Sequence, residues 1–412
     1  MARERAPTRR AVLAGGSAAI AASLIGCGRS ATSEAKAAER LREITADQAV
    51  LLDVGERPLT LGNNEGPTPA WLYGDSPFPV LRARAGEEMT AELVNNLQEH
   101  TSIHWHGVRV PNAMDGVPYV TQMPVLPREQ FTYAFAPPDP GTFFFHPHCN
   151  TVAQLGRGLA GVLIVEGDEV EPFDDDVVLV LKDWRVAKDG SFLPFLTVEG
   201  AARSGSYGTL RTVNGTIAPR IVVPAGANVR VRLVNADSTR VGDLGIDGAM
   251  ASVIAIDGNA IQPFALETWR LGPAMRLDLL VRTPDSGGEI TLMDYFASAP
   301  VRLATLVAEG QQRRKDSFDP VALKVPNLPE PDLANAREHQ LRLSATAAAS
   351  TYTEIAPIVL PDGRKIDMMD AFCATPRTLW ALDGKTWPQA GHQKMPPPIL
   401  SFTRGESVRI EF

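Results

Sequence analysis

The chain has 412 residues, 44% of them hydrophobic and 21% charged, with a formal net charge of −8. About 150 residues per domain predicts two to three domains, and the apolar share excludes a disordered chain, which could not offset its own ordering entropy. Three cysteines exclude a disulfide-stapled scaffold, and with no long Lys/Arg run or basic balance, nucleic acid is not an expected partner.

The first elements are targeting segments. Arg9-Arg10 precedes an apolar, small-residue run from Ala11 to Ile25, shorter than the roughly 20 residues a membrane span needs, so residues 1–27 read as a signal. The arginine pair points to twin-arginine export. Leu24-Ile25-Gly26-Cys27 resembles a lipoprotein cleavage box with Cys27 acylated; the alternative is an ordinary secretory signal with an incidental cysteine. Residues 28–43 are then a tether, and the expected location is the bacterial cell envelope, periplasmic or lipid-anchored.

Gly 34 and Pro 33 suit a turn-rich all-β protein, and an internal repeat organises it. Pro79 to Gly86 leads into Met89, Ala91, Leu93 and Asn95; Pro219 to Gly226 leads into Val229, Val231, Leu233 and Asn235. Pro398 to Gly405 leads into Val408, Ile410 and Phe412. Each copy alternates apolar residues after the Gly, as in a strand with one buried face. The Gly is expected to form a hairpin-like turn into a β-sandwich. Three domains of one ancestry follow: 44–167, 168–331 and 332–412, the second opening after an acidic turn at Asp174-Asp175-Asp176. The charged, Pro-rich stretch from Gln311 to Pro331 is expected as a linker. The third unit is expected to be incomplete, because Phe412 comes before the counterpart of Asn95 and Asn235.

Four of seven histidines form two His-x-His pairs, His104-Trp105-His106 and His146-Pro147-His148. On a strand, residues i and i+2 share a face, so each pair is expected to present two imidazoles side by side. Pro147 removes a ladder donor and puts its strand at an edge or end. Four converging imidazoles suit Cu, Zn, Ni or Fe rather than hard, oxygen-loving cations. Trp105, on the opposite face, is expected in the core.

These residues resemble a known family. Ser102-Ile103-His104-Trp105-His106-Gly107, Asp115-Gly116-Val117-Pro118, Gly141-Thr142-Phe143 and His146-Pro147-His148 are similar to the first domain of the multicopper oxidases, laccase-like proteins of three cupredoxin domains. The resemblance implies an all-β fold of tandem cupredoxin-like Greek-key β-sandwiches, two complete and a third incomplete. It implies a copper oxidoreductase coupling one-electron oxidation of a phenolic or metal-ion substrate to four-electron reduction of O2 to water. By position His104 would be a type 2 copper ligand, and His106, His146 and His148 type 3 ligands, together half of a trinuclear site. Asp115 matches the family's acid near the cluster, where a carboxylate can relay protons; its plainer reading is a turn residue before Gly116. The expected partners are O2, a small reducing substrate and, through Cys27, a membrane.

A type 1 copper site is expected to be missing. Blue copper takes a Cys, two His and commonly a weak Met, yet laccase spacing after Cys149 finds Gln154 and Leu159, and nitrite reductase spacing finds Gly158 and Leu163. Cys149 is then a buried thiol or the partner of Cys373. His339 and His392, the histidines of the third unit, are unpaired, and the family's third-domain ligand motifs are not found before Phe412. The chain is therefore expected to hold half of the trinuclear ligands and not to turn over. The alternatives are a non-catalytic periplasmic copper-binding or cupredoxin scaffold protein and, more remotely, a zinc enzyme.

Overall fold

The computed structural model describes residues 40–195, 205–325, 328–347, 358–359, 365–366, 378–383 and 397–412. Cys27, Cys373 and His392, and with them the signal residues, lie outside the described residues.

The first domain is built from β1 (Glu43–Thr45), β2 (Val50–Leu59), β3 (Thr68–Tyr73), β4 (Val80–Arg84), β5 (Met89–Asn95), β6 (His104–His106), β7 (Gln130–Phe135), β8 (Gly141–His146) and β9 (Gly161–Glu166). One short helix, α1 (Thr151–Arg157), connects β8 to β9. The strands form two sheets, β1-β4-β9-β8-β6 and β3-β2-β5-β7. Between them lies a core that includes Leu52, Leu93, Trp105, Tyr133, Phe145 and Leu163.

The second domain runs through β10 (Asp175–Trp184), β11 (Leu210–Val213), β12 (Arg220–Pro224), β13 (Asn228–Asn235), β14 (Gly242–Asp247), β15 (Met250–Ile256), β16 (Asn259–Ala265), β17 (Trp269–Leu271), β18 (Arg276–Arg282), β19 (Glu289–Asp294) and β20 (Val301–Glu309). Its sheets are β11-β10-β13-β18-β15-β16 and β12-β20-β19-β14-β17.

The two sandwiches repeat one topology. β2 runs parallel to β5, β5 antiparallel to β7, and β4 parallel to β9; β10 runs parallel to β13, β13 antiparallel to β18, and β12 parallel to β20. Gly86, Gly226 and Gly405 sit at φ of 80°, 54° and 89°. In the first two copies the strands on either side of this glycine belong to different sheets. The expected hairpin is thus a corner: the left-handed turn carries the chain across the sandwich instead of back along its own sheet. Beyond Gly405, Val408–Glu411 pairs in parallel with Arg337–Gln340, the arrangement of β5 with β2 and β13 with β10. Asn95 and Asn235 also do the same work. Asn95 donates to the carbonyls of Glu99 and Val125 and accepts from the Leu97 amide. Asn235 donates to those of Arg240 and Leu271 and accepts from the Asp237 amide.

A further apolar cluster joins the sandwiches. Leu61, Phe78, Val80, Phe144, Val162 and Ile164 from the first meet Val178, Val180, Trp184 and Val234 from the second. This explains the uninterrupted apolar runs of β8, β9 and β10, which are covered on both faces. It also corrects the one-buried-face reading of β13, whose alternate residues Arg230 and Arg232 are fully buried. Arg230 grips both carboxylate oxygens of Asp168 at 2.8 and 2.7 Å and donates to Asp278 at 2.6 Å. Arg232 holds Asp176 through two bonds of 2.8 Å and donates to the Thr142 hydroxyl at 2.7 Å. Asp175 and Asp176 belong to β10 rather than to an acidic turn; Asp176 answers the Arg232 guanidinium of the adjoining strand.

Two flanking segments are held against the second domain. Arg40, at the end of the predicted tether, bonds Asp175 and the Val222 carbonyl at 2.8 and 2.9 Å. In the predicted linker, the Arg314 and Lys324 amides bond the Gly226 and Asp168 carbonyls at 2.8 and 2.7 Å. Leu323 packs with Ile254 and Leu280, so this stretch is a strap on the second domain as far as Lys324.

Asp278 also accepts from the Thr142 hydroxyl at 2.8 Å. Asp278→Ala leaves two buried guanidinium groups short of their counter-charge, so stability should fall by about 3–5 kcal/mol. Urea unfolding monitored by intrinsic fluorescence measures the loss.

Candidate metal centre

β6 is a three-residue strand at the edge of its sheet, and among the described residues β8 is its one ladder partner. The register sets His104 opposite His146, Trp105 opposite Phe145 and His106 opposite Phe144. Period-two alternation sends Trp105 into the core against Tyr133, Phe135 and Phe145, with ring centroids 5.7, 5.1 and 5.3 Å away. His104 and His106 take the other face.

The second pair departs from the expected strand geometry. β8 ends at His146, since Pro147 has no N–H to continue the ladder. His148 lies in the following turn, which reaches α1 through Asn150 at φ 41°. This turn brings the imidazole of His148 to 4.6 Å from that of His104, centroid to centroid. One ring nitrogen from each of His104, His146 and His148 lies within 4.8 Å of the others. His106 joins through Nδ1, 3.3 Å from His146 Nε2. The structure thus brings all four histidines together.

Hydrogen bonds orient two of the rings. His104 Nδ1 lies 2.8 Å from the Asp115 carbonyl and His146 Nδ1 3.0 Å from the Pro147 carbonyl. A carbonyl only accepts, so each Nδ1 carries its proton and each Nε2 presents a lone pair, the form in which imidazole binds metal. Burial keeps three of the rings neutral. Desolvation, followed by the Arg276 guanidinium and the neighbouring imidazoles, pushes His106 down to about 4. Desolvation and His104 push His148 down to about 4, and His146 is driven well below the usual histidine range by the same causes. Converging imidazoles, sheltered from water and with ring nitrogens turned toward one another, are a donor set that fits copper.

Asp115 lies against His104 with both backbone and side chain. Its carboxylate Oδ1 is 3.4 Å from His104 Nδ1, and its side chain is 33% exposed, enough to exchange protons with solvent. Gly116, at φ 76°, lets this loop touch the strand, since a Cβ there would collide with the Ile103 carbonyl.

Cys149 is a free, buried thiol. Its sulfur is 3.8 Å from the Ser102 hydroxyl, and burial raises its pKa strongly, away from the thiolate that blue copper requires. Gln154, where laccase spacing would place a histidine, is a buried strut. It accepts from the Thr101 hydroxyl at 2.7 Å and donates to Glu99 and the His100 carbonyl at 2.7 and 2.8 Å.

Sequence reasoning missed this strut, together with the Tyr133 hydroxyl, which accepts from the Ile103 amide at 2.8 Å. It also missed Arg276, which comes from the second domain. No local motif marks any of the three; a charged residue opening the apolar run of β18 is the one visible signal.

The depressed histidines fix the sign of a pH effect. Below about pH 6.5 the unfolded chain takes up protons that the folded site refuses until about pH 4, so metal-free protein loses stability as pH falls through that window. Replacing His106 and His148 by Gln should flatten the decline, as read from urea midpoints at pH 7.5 and 5.

Models described as multicopper oxidase match residues 59–170 and 175–312. The crystal structure of a multicopper oxidase from Pseudomonas thermotolerans is 40% identical, with a TM-score of 0.67 over 73% of this chain and 72% of that one. Copper resistance protein A of Escherichia coli is 25% identical over 65% of this chain and 52% of its own length. Laccase-2 of Botryotinia fuckeliana is 31% identical over 50% of this chain and 38% of its own. The chain spans about half the length of the copper resistance proteins it matches. With this fold and these matches, the chain belongs to the multicopper oxidase family, a family of copper oxidoreductases.

Proposed function

We propose that the chain provides the first half of the trinuclear copper site of a cell-envelope oxidase. That oxidase couples one-electron oxidation of a phenolic or metal-ion substrate to reduction of O2 to two waters. The observation carrying this reading is the convergence of four imidazoles, one buried and three half-buried, with ring nitrogens of three of them within 4.8 Å of one another. His104 is assigned to type 2 copper, and His106, His146 and His148 to the type 3 pair. The 3.3 Å approach of His106 Nδ1 to His146 Nε2 supports placing those two on one ion.

Copper, when bound, supplies the one-electron chemistry by which four electrons reach O2. The chain's own residues do the rest. Carbonyls of Asp115 and Pro147 hold two rings with Nε2 forward. Phe144 lies against His106 and His146, with centroids 4.8 Å from each, and excludes water from that side. Reduction of O2 to two waters consumes four protons, and the Asp115 carboxylate, partly open to solvent, can hold a proton at Oδ1 and release it toward the site.

Four ligands make half of a trinuclear site, and the buried Cys149 thiol is unsuited to type 1 copper. Our reading assigns the other ligands and the electron-entry copper to protein outside the two sandwiches. Among the described residues no helix is long and apolar enough to cross a membrane. Twin-arginine export with acylation of Cys27 would place the protein in the envelope.

Incubating the 412-residue chain with Cu(II), desalting it and counting metal by mass spectrometry tests the reading. Retained copper should be lost in His104→Gln/His146→Gln. Wild-type protein that retains none would favour a cupredoxin scaffold, and a blue absorption band would overturn the exclusion of type 1 copper.

A further inference from the structure

The second domain contributes no histidine to the metal centre, yet one of its side chains lies against it. Arg276 opens β18, and its guanidinium is almost fully buried, with 4% of the side chain exposed. It donates from Nε to the Thr142 carbonyl of β8 at 3.3 Å. Within its own domain it donates from Nη1 to the Ala274 carbonyl at 2.7 Å and from Nη2 to the Asp257 carbonyl at 2.9 Å. Its carboxylate neighbour is Asp257, 3.4 Å from Nη1 and 39% exposed.

The same guanidinium rests on the residue that follows His106. A Cβ on Gly107 would stand 2.6 Å from Arg276 Nη2, and Gly107 adopts φ 84°. Glycine at this point lets the turn at the end of β6 lie flat against a charged group from another domain. The packing continues alongside. Cβ atoms at Gly258 or Gly107 would both press on the Phe143 ring, and one at Gly141 would collide with the Gly258 carbonyl. The 257–258 turn and Arg276 of the second domain thus meet the start of β8 and the end of β6 together.

A three-residue edge strand with one ladder partner has little of its own to hold it. The ring of His106 can be no better placed than the backbone of His106 and Gly107. We propose that Arg276 is a positioning residue for the copper half-site, fixing the end of β6 against β8 from the second domain and setting a permanent positive charge beside His106. The inference rests on the copper reading above and adds a residue from outside the ligand-bearing domain.

Competition titration with a chromophoric Cu(II) chelator, and electron paramagnetic resonance of the bound Cu(II), test it in wild type, Arg276→Met, Arg276→Lys, Asp257→Ala and Leu306→Ala. Arg276→Met should weaken copper binding about 10-fold or more, as loss of partners behind metal ligands does, and should alter the copper hyperfine pattern. Arg276→Lys, which keeps the charge and one donor to a carbonyl, should recover part of the affinity. Asp257→Ala, which folds with an intact Arg276, should shift both readouts less and in the same direction. Leu306→Ala removes core volume from the second domain far from the site and should lower thermal stability without changing the spectrum. Wild-type affinity and spectrum in Arg276→Met, or equal changes in Leu306→Ala, would overturn the role of Arg276 while leaving the copper reading intact. Wild-type protein that takes up no copper would overturn both.

Discussion

Two arginines without access to water hold this molecule together. Arg230 and Arg232 project from the face of β13 that meets the first domain, and each is neutralised by aspartates: Asp168 and Asp278 around the first, Asp176 around the second. Stripping guanidinium groups of water is expensive and is offset only by near-complete bonding. The carboxylates must therefore sit where they do, one between β9 and β10, one at the start of β10 and one on β18. The cluster reaches into the first domain through the Thr142 hydroxyl. Thr142 and His146 occupy opposite ends of one strand, about 13 Å apart at 3.3 Å per residue. Domain docking and ligand placement are thus two ends of the same short piece of backbone.

The site illustrates how burial prepares side chains for metal. An exposed imidazole spends part of its time protonated near neutral pH, whereas His106, His146 and His148 are kept neutral first by desolvation and then by the charged or ionisable groups around them. Carbonyl acceptors choose the tautomer for two of the four rings.

Much of this was legible in the residues. The His-x-His spacing announced paired imidazoles because strand alternation has period two, and Trp105 fell to the core by the same rule. Pro147 signalled the end of β8, although the position of His148 depends on a turn whose geometry no local pattern encodes. The Pro-to-Gly repeat disclosed duplicated domains but not that the glycine crosses between sheets, since alternation looks alike on either side of a hairpin or a corner. Arg230, Arg232 and Arg276 were illegible as buried groups: in a half-exposed strand, charges between apolar residues face solvent. Only the second sandwich packed on the first reverses that expectation, and packing of this kind is not written locally.

The paired corners at Asn95 and Asn235 carry a consequence for how such proteins change. Both asparagines close the same bend with the same three bonds, and the chain then supplies a strand on the far side of the sandwich. In the first domain that strand is His-Trp-His; in the second it is β14, Gly-Asp-Leu-Gly-Ile-Asp, with no ligand at all. The corner holds equally well in either case. The bend therefore stands independently of the ligands that follow it, so the His-Trp-His edge can lose its imidazoles while the corner keeps all three bonds.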